Sequence, residues 1–182
     1  EGFFLNIADI AADTGTVACV PVSVRSFDNI LSAEFTISWE PSALLFNRVE
    51  IPTTLTNLTQ ASFNTSSTNV GVLQINWNNA TPVNIPDDTV IFELCFDLVG
   101  SPDTCYQVRV GDPTAQVSTA NGEGSLLSDP GEVCIKDRLV ITNRNIRAVS
   151  CPDTNDGSVV LTVSGGRQPI GITWATTPPQ FG

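Results

Sequence analysis

The side chains in this sequence that could do chemistry are acidic, sulfur-bearing or aromatic, and none is histidine. Without an imidazole there is no Ser-His or Cys-His pair and no histidine-ligated metal. Glu34, Glu40, Asp87, Asp88 and Glu93 are the carboxylates available for a glycosidase-type acid and nucleophile. Glu34, Glu93 and Asp97 fall on the polar side of alternating runs, where a solvated strand face is the plainer reading, so no enzyme is expected. Asp153, Asn155 and Asp156 could offer oxygen ligands to a structural calcium ion, as could Asp87 and Asp88. The D-x-N-D-G run lacks the full EF-hand pattern, and turn chemistry explains it without metal. No other cofactor is expected. Five Cys with no C-x-x-C spacing do not make a zinc site. Trp39, Trp77 and Trp174 could stack on a sugar, but the first two share a face with Phe35, Ile37, Leu73 and Ile75, which places them in a core.

Composition narrows the partners. The 182 residues carry 8 basic and 19 acidic side chains, a net charge of −11. That balance argues against nucleic acid, whose binding relies on Lys and Arg to neutralise phosphate. No apolar run approaches the roughly 20 residues of a membrane helix. Ser, Thr and Asn supply over a quarter of the chain, the make-up of an extracellular β protein. Opening at Glu1 without a signal peptide, the sequence reads as a processed or excised piece.

Charge and pattern divide it. Residues 1–137 hold 17 acids and 4 bases, and residues 138–182 hold 2 acids and 4 bases. Period-two runs recur in the first part: Val20-Val22-Val24, Phe35-Ile37-Trp39, Leu73-Ile75-Trp77, Val90-Phe92-Leu94-Phe96-Leu98, Tyr106-Val108-Val110 and Val133-Ile135. Each alternates with polar or outward residues, the mark of a strand with one face in a core. Turn signals such as Gly100-Ser101-Pro102 and Asp129-Pro130-Gly131 separate them. Eight or nine strands with no amphipathic helix make an all-β sandwich over 1–137. Residues 50–70 and 111–130 read as longer, less regular connections, 138–150 as a linker, and 151–182 as part of a second β module.

The order of these segments resembles the cohesin-like β-sandwich. Phe4-Leu5-Asn6-Ile7-Ala8 and then Val20-Pro21-Val22 look like its opening strands. Phe35-Thr36-Ile37-Ser38-Trp39-Glu40, followed by Leu44-Leu45-Phe46-Asn47-Arg48-Val49, matches an aromatic–acid pair and an L-x-F-x-x-V run. Residues 86–100 and Gly131-Glu132-Val133-Cys134-Ile135 resemble the late strands. The resemblance implies a nine-stranded jelly roll over about residues 3–137. Cohesins bind dockerin modules, and looser relatives in large surface proteins need not. The sequence does not mark a binding face.

Residues 151–182 resemble the start of a SprB repeat, found in very large surface adhesins of Bacteroidota. Cys151 through Asn155-Asp156-Gly157-Ser158 to Gly165-Gly166, then Gln168-Pro169-Ile170 and Trp174, carry the pattern, with Ile170 where Tyr is usual. That resemblance implies type IX secretion. Asp88-Thr89-Val90 resembles the O-glycosylation acceptor of the same bacteria, making Thr89 a candidate site, while Asn57, Asn64 and Asn79 open formal N-glycosylation sequons.

The cohesin-like order also makes the strands of Cys19 and Cys95 neighbours. It implies a Cys19–Cys95 disulfide and leaves Cys105–Cys134, with Cys95–Cys105 across a hairpin as the rival and reduced, packed thiols as the further alternative. Disulfides imply an oxidising exterior. Together these features give two readings. The first is a non-catalytic spacer and contact segment of a large secreted surface protein, an adhesin or filament, whose partners are other copies of itself and surface glycans. Residues 3–10 and 138–147 are its candidates for strand addition. The alternative is a carbohydrate- or dockerin-binding module of an extracellular enzyme system, and a sugar binder would have to expose at least two of Trp39, Trp77 and Tyr106.

Overall fold

Alternating residues become strands wherever one of their two faces can be covered, and this chain uses that rule almost throughout. The computed structural model describes residues 2–111, 115–151, 156–166 and 170–172. It separates into two units, Glu1–Lys136 and Asp137–Gly182. The first begins with β1 (Gly2–Ile7), β2 (Ile10–Asp13), β3 (Val17–Arg25), β4 (Phe27–Ser38), β5 (Leu44–Glu50) and β6 (Phe63–Asn64). It continues with β7 (Val72–Ile85), β8 (Thr89–Leu98), β9 (Thr104–Val110), β10 (Gln116–Thr119), β11 (Gly122–Asp129) and β12 (Gly131–Lys136). Two short 3-10 turns, Gln60–Ser62 and Thr68–Val70, lie in the connection between β5 and β7.

Pairing assembles two layers. Layer A runs β5-β8-β3-β1-β11, with β1 and β11 parallel. Layer B runs β2-β12-β9-β4-β7-β6, and β10 continues along β4 beyond β9. The β10–β11 hairpin joins the layers along one side. Aromatic pairs bridge the interior: Phe3 to Phe27 at 4.8 Å, Trp39 to Phe96 at 5.1 Å and Phe63 to Phe92 at 5.2 Å between ring centroids. A void lined by Phe3, Phe27, Trp77, Ile91 and Phe92 measures only about 10 Å³, room for no more than a water. This is the all-β sandwich that the alternation predicts. No helix among the described residues is long and apolar enough to cross a membrane.

Several expectations need correction. The first unit has twelve strands among its described residues rather than nine. Part of the excess is the β10–β11 hairpin, in a stretch read as irregular. Those two strands are short or mostly exposed, so tertiary pairing rather than local pattern makes them. Ile91 is buried although its alternation places it outside. The register against β3 skips it between Val90 and Phe92, a β-bulge that turns its side chain inward. A second bulge omits Asn47 from the β5–β8 register, so Leu44 and Phe46 and then Val49 all reach the core side despite the broken period of L-x-F-x-x-V. Residues 3–7 are not a free edge, because β1 is paired on both sides, whereas Ile10 opens β2, which pairs with β12 alone. Apart from Ser125–Asp129 of β11, which pair with β1 alone, the edges that remain are guarded. The bulge and the Arg48–Glu50 ion pair interrupt β5, Asn79–Pro82 break the register of β7, and β2 is four residues long.

Residues 138–150 are not a plain linker. They contain β13 (Val140–Arg147), which pairs antiparallel with β14 (Ser158–Ser164). Its Asn and Arg residues mask the strand tendency of Val140, Ile141 and Ile146, which is realised only by pairing with Val159–Val163.

Candidate functional site

Along β4 and β7 the outer face of layer B is a nearly uncharged carpet of hydrogen-bonding side chains, while Arg109 of β9 and Glu132 and Lys136 of β12 place charges on its other half. On β4, Ser32, Glu34, Thr36 and Ser38 alternate with the buried Ala33, Phe35 and Ile37. On β7, Gln74, Asn76 and Asn78 alternate with the buried Leu73, Ile75 and Trp77. The register aligns Asn76 with Glu34 and Gln116, Gln74 with Thr36, and Val72 with Ser38 and Arg109. Glu34 stands near the middle. Its carboxylate accepts from Gln74 Nε2 at 2.8 Å, and Asn64 Nδ2 reaches Gln74 Oε1 at 3.5 Å. Such a surface offers donors and acceptors in a flat array, which suits contact with another polar surface and gives no pair of reacting groups.

At one end of β4 the carpet drops into a recess of about 390 Å³, bordered by Ser38, Trp39, Glu40, Val70, Gly71, Val72, Gln107 and Arg109. Gly71 shapes it. Its φ of +74° and a Cβ position only 2.3 Å from the Trp39 carbonyl oxygen admit glycine alone, and its own carbonyl accepts from Trp39 N at 3.0 Å. Arg109 is exposed and makes no ion pair among the described residues, whereas Arg25 and Arg48 are paired with Asp88 and Glu50. Glu40 is turned away onto Ser42, accepting from its N–H at 3.1 Å and its hydroxyl at 2.7 Å. Those hydrogen bonds hold the Glu40 carboxyl below its ordinary range. A depressed carboxylate stabilises the fold above its unfolded-state value, and the contribution disappears as pH falls through the folded-state value. Ser42→Ala should therefore raise the Glu40 titration midpoint toward an ordinary glutamate. A carboxyl-detected NMR titration checks this, and an unmoved midpoint contradicts it.

The outer face of layer A is different. There Cys19 and Cys95 oppose one another on β3 and β8 and form a disulfide, whereas the second bridge, Cys105–Cys134, crosses β9 and β12 on layer B. Cys95 points outward as its alternation predicts, yet it is fully buried in the middle strand of three. A carboxylate lies by each bridge: Glu50 or Glu132 groups with the two sulfurs so that all ligand atoms fall within 4.8 Å. The sulfurs are committed to each other, so neither cluster is a metal site.

The remaining sequence candidates are dispersed. Asp87 Oδ1 accepts from Ser26 N at 2.7 Å, and Asp88 pairs with Arg25 at 2.6 Å. The Asp88 hydrogen bond and charge raise the Arg25 pKa. Glu93 sits on layer A, opposite Pro21 and Glu50. Hence Glu34, Glu40, Asp87, Asp88 and Glu93 do not converge on one cleft. Asp156 accepts from Ser150 N at 2.8 Å and stands 3.8 Å from Arg147, while Asp153 and Asn155 lie outside the described residues. Thr89 opens β8 half-buried, its hydroxyl donating to the Pro86 carbonyl at 2.7 Å. Trp39 and Trp77 are 7% and 2% exposed, and Tyr106 is half-buried with its hydroxyl accepting from Ser101 N, so no aromatic strip for sugar exists among these three. Gln107 and Arg109 escaped the sequence reading because a polar residue on an alternating strand looks like any solvated position. Only the strand pairing brings them to the end of β4.

No protein-family model and no curated protein matches the sequence. Solved structures do. The sixth cohesin of Acetivibrio cellulolyticus scaffoldin B, crystallised with a mutant Cel5 dockerin, superposes with a TM-score of 0.63 at 20% identity, over 75% of this chain and 100% of that one. The solution structure of CaCohA2 from Clostridium acetobutylicum gives 0.62 at 20%, over 75% and 92%. A non-cellulosomal cohesin of the archaeon Archaeoglobus fulgidus gives 0.58 at 15%, over 74% and 91%. The fold is therefore cohesin-like.

Proposed function

We propose that the chain is a non-catalytic binding segment of a secreted multidomain protein, in which the cohesin-like unit receives a dockerin-type partner on the outer face of layer B. The observation that carries this reading is the likeness to cohesins solved with dockerins bound, joined to a flat face rich in hydrogen-bonding groups. Two disulfides in the first unit favour an oxidising exterior. The SprB-like pattern of residues 151–182 supports a surface setting with further modules. The mostly guarded edges of the first unit make strand addition the poorer way for it to assemble with other copies.

Calorimetric titration of the whole chain with a panel of dockerin modules tests the proposal. Glu34→Lys, near the centre of the face, should weaken binding at least about tenfold, and Glu93→Lys on layer A should change it by less than about twofold. Should no dockerin bind, or both substitutions cost the same, the docking reading fails and the spacer reading takes its place.

A further inference from the structure

The charges on layer B form a pattern that the fold likeness does not supply. The domain is strongly acidic, yet Glu34 is the one carboxylate within the β4–β7 carpet, and Arg109 is the cation at its recessed end. Both project from the same face. Glu34 alternates with the buried Ala33 and Phe35, while Arg109 flanks the buried Val108 and opposes Ser38. Four residues of β4 separate Glu34 from Ser38, and one strand spacing separates Ser38 from Arg109. The two charged positions therefore stand about 14 Å apart, at roughly 3.4 Å per residue and 4.8 Å per strand.

Around Arg109 the recess gathers donors. The guanidinium, the Gln107 amide and the Ser38 hydroxyl border it, with Val70, 62% exposed, and Val72 as an apolar wall. The neighbouring carboxylate of Glu40 is held by Ser42 and makes no ion pair with Arg109. An oxygen-rich anion of a partner can thus form charge-assisted hydrogen bonds to Arg109 while its stem packs on the valines. Glu34, already accepting from Gln74, has its remaining acceptor capacity open to a cation.

We propose that the partner seated on this face carries a carboxylate that enters the recess at Arg109 and a cationic side chain that meets Glu34. The proposal rests on the docking reading but concerns the chemistry of the partner rather than its family. A helix meets this requirement with Glu and Lys eleven positions apart, which lie on one side at about 16 Å, within the reach of the two side chains. Nine positions apart, the same two residues point to opposite sides.

The experiment uses two alanine-rich helical peptides of identical composition, one with Glu and Lys eleven positions apart and one with nine. Each is titrated into the isotope-labelled full chain and followed by NMR. The eleven-spaced peptide should shift the Arg109 side-chain signal and the amides around Glu34 and Gln107, with an apparent affinity at least about fivefold above the control. Arg109→Glu should remove that advantage without altering the rest of the spectrum. Equal affinity for the two peptides, or an advantage that survives Arg109→Glu, overturns the inference. The dockerin panel separates the two claims: dockerin binding indifferent to Arg109→Glu leaves the docking reading standing and removes this one, whereas peptide discrimination without dockerin binding does the reverse.

Discussion

Replacing Cys19 and Cys95 together by alanine is expected to lower the unfolding free energy by about 4 kcal/mol, measured by urea denaturation of the oxidised proteins. The bridge closes a long loop, with a sequence separation of 76, and without it the denatured chain regains the corresponding freedom. The Cys105–Cys134 bridge spans 29 and should be worth about 1 kcal/mol less. The ranking is informative because the accessible bridge is the shorter one: Cys105 is exposed, whereas Cys95 is fully buried. A larger loss from removing Cys105 and Cys134 would show that native-state strain or packing, rather than chain entropy, governs the difference.

The second large effect lies at the bulge on β8. Phe92→Ala should cost about 3–5 kcal/mol, because the ring is 1% exposed and meets Phe63 edge-on at 5.2 Å. Its neighbour Ile91, 3% exposed, should also lose more than about 2 kcal/mol on truncation to alanine. Val90 is half-buried, so Val90→Ala should cost less than about 1 kcal/mol. Regular alternation of Val90 and Phe92 predicts the opposite order for Val90 and Ile91. Equilibrium unfolding of the three variants decides between them, and a harmless Ile91→Ala would rule out the bulge.

These cases show where the sequence was readable. Uninterrupted runs such as Phe35-Ile37-Trp39 and Leu73-Ile75-Trp77 declare their buried side outright, since period two is the geometry of the strand itself. Runs with a skipped beat do not. The break in L-x-F-x-x-V has no local cause and is absorbed by an unpaired Asn47 that only the partner strand reveals. Strand β13 and most of hairpin β10–β11 are polar and exposed, and the one local mark of the hairpin is its Asn121-Gly122 turn. The proposed docking face was half legible. Glu34 stood out as a carboxylate on a solvated side, but its separation from Arg109, more than seventy residues away in sequence, exists only because β9 runs beside the end of β4. The disulfide partners lay between these extremes, following from strand adjacency once the order of the fold was assumed.

The two bridges have a consequence for a unit held in series within a longer chain. Tension applied through its ends cannot draw out the stretch from Cys19 to Cys95 or from Cys105 to Cys134, since each is short-circuited by a sulfur–sulfur link. Only the residues before Cys19, those between Cys95 and Cys105, and the last two of the unit can lengthen. Such a domain gives way by a small, bounded step in contour length, and a string of them would pay out slack in short increments instead of unravelling.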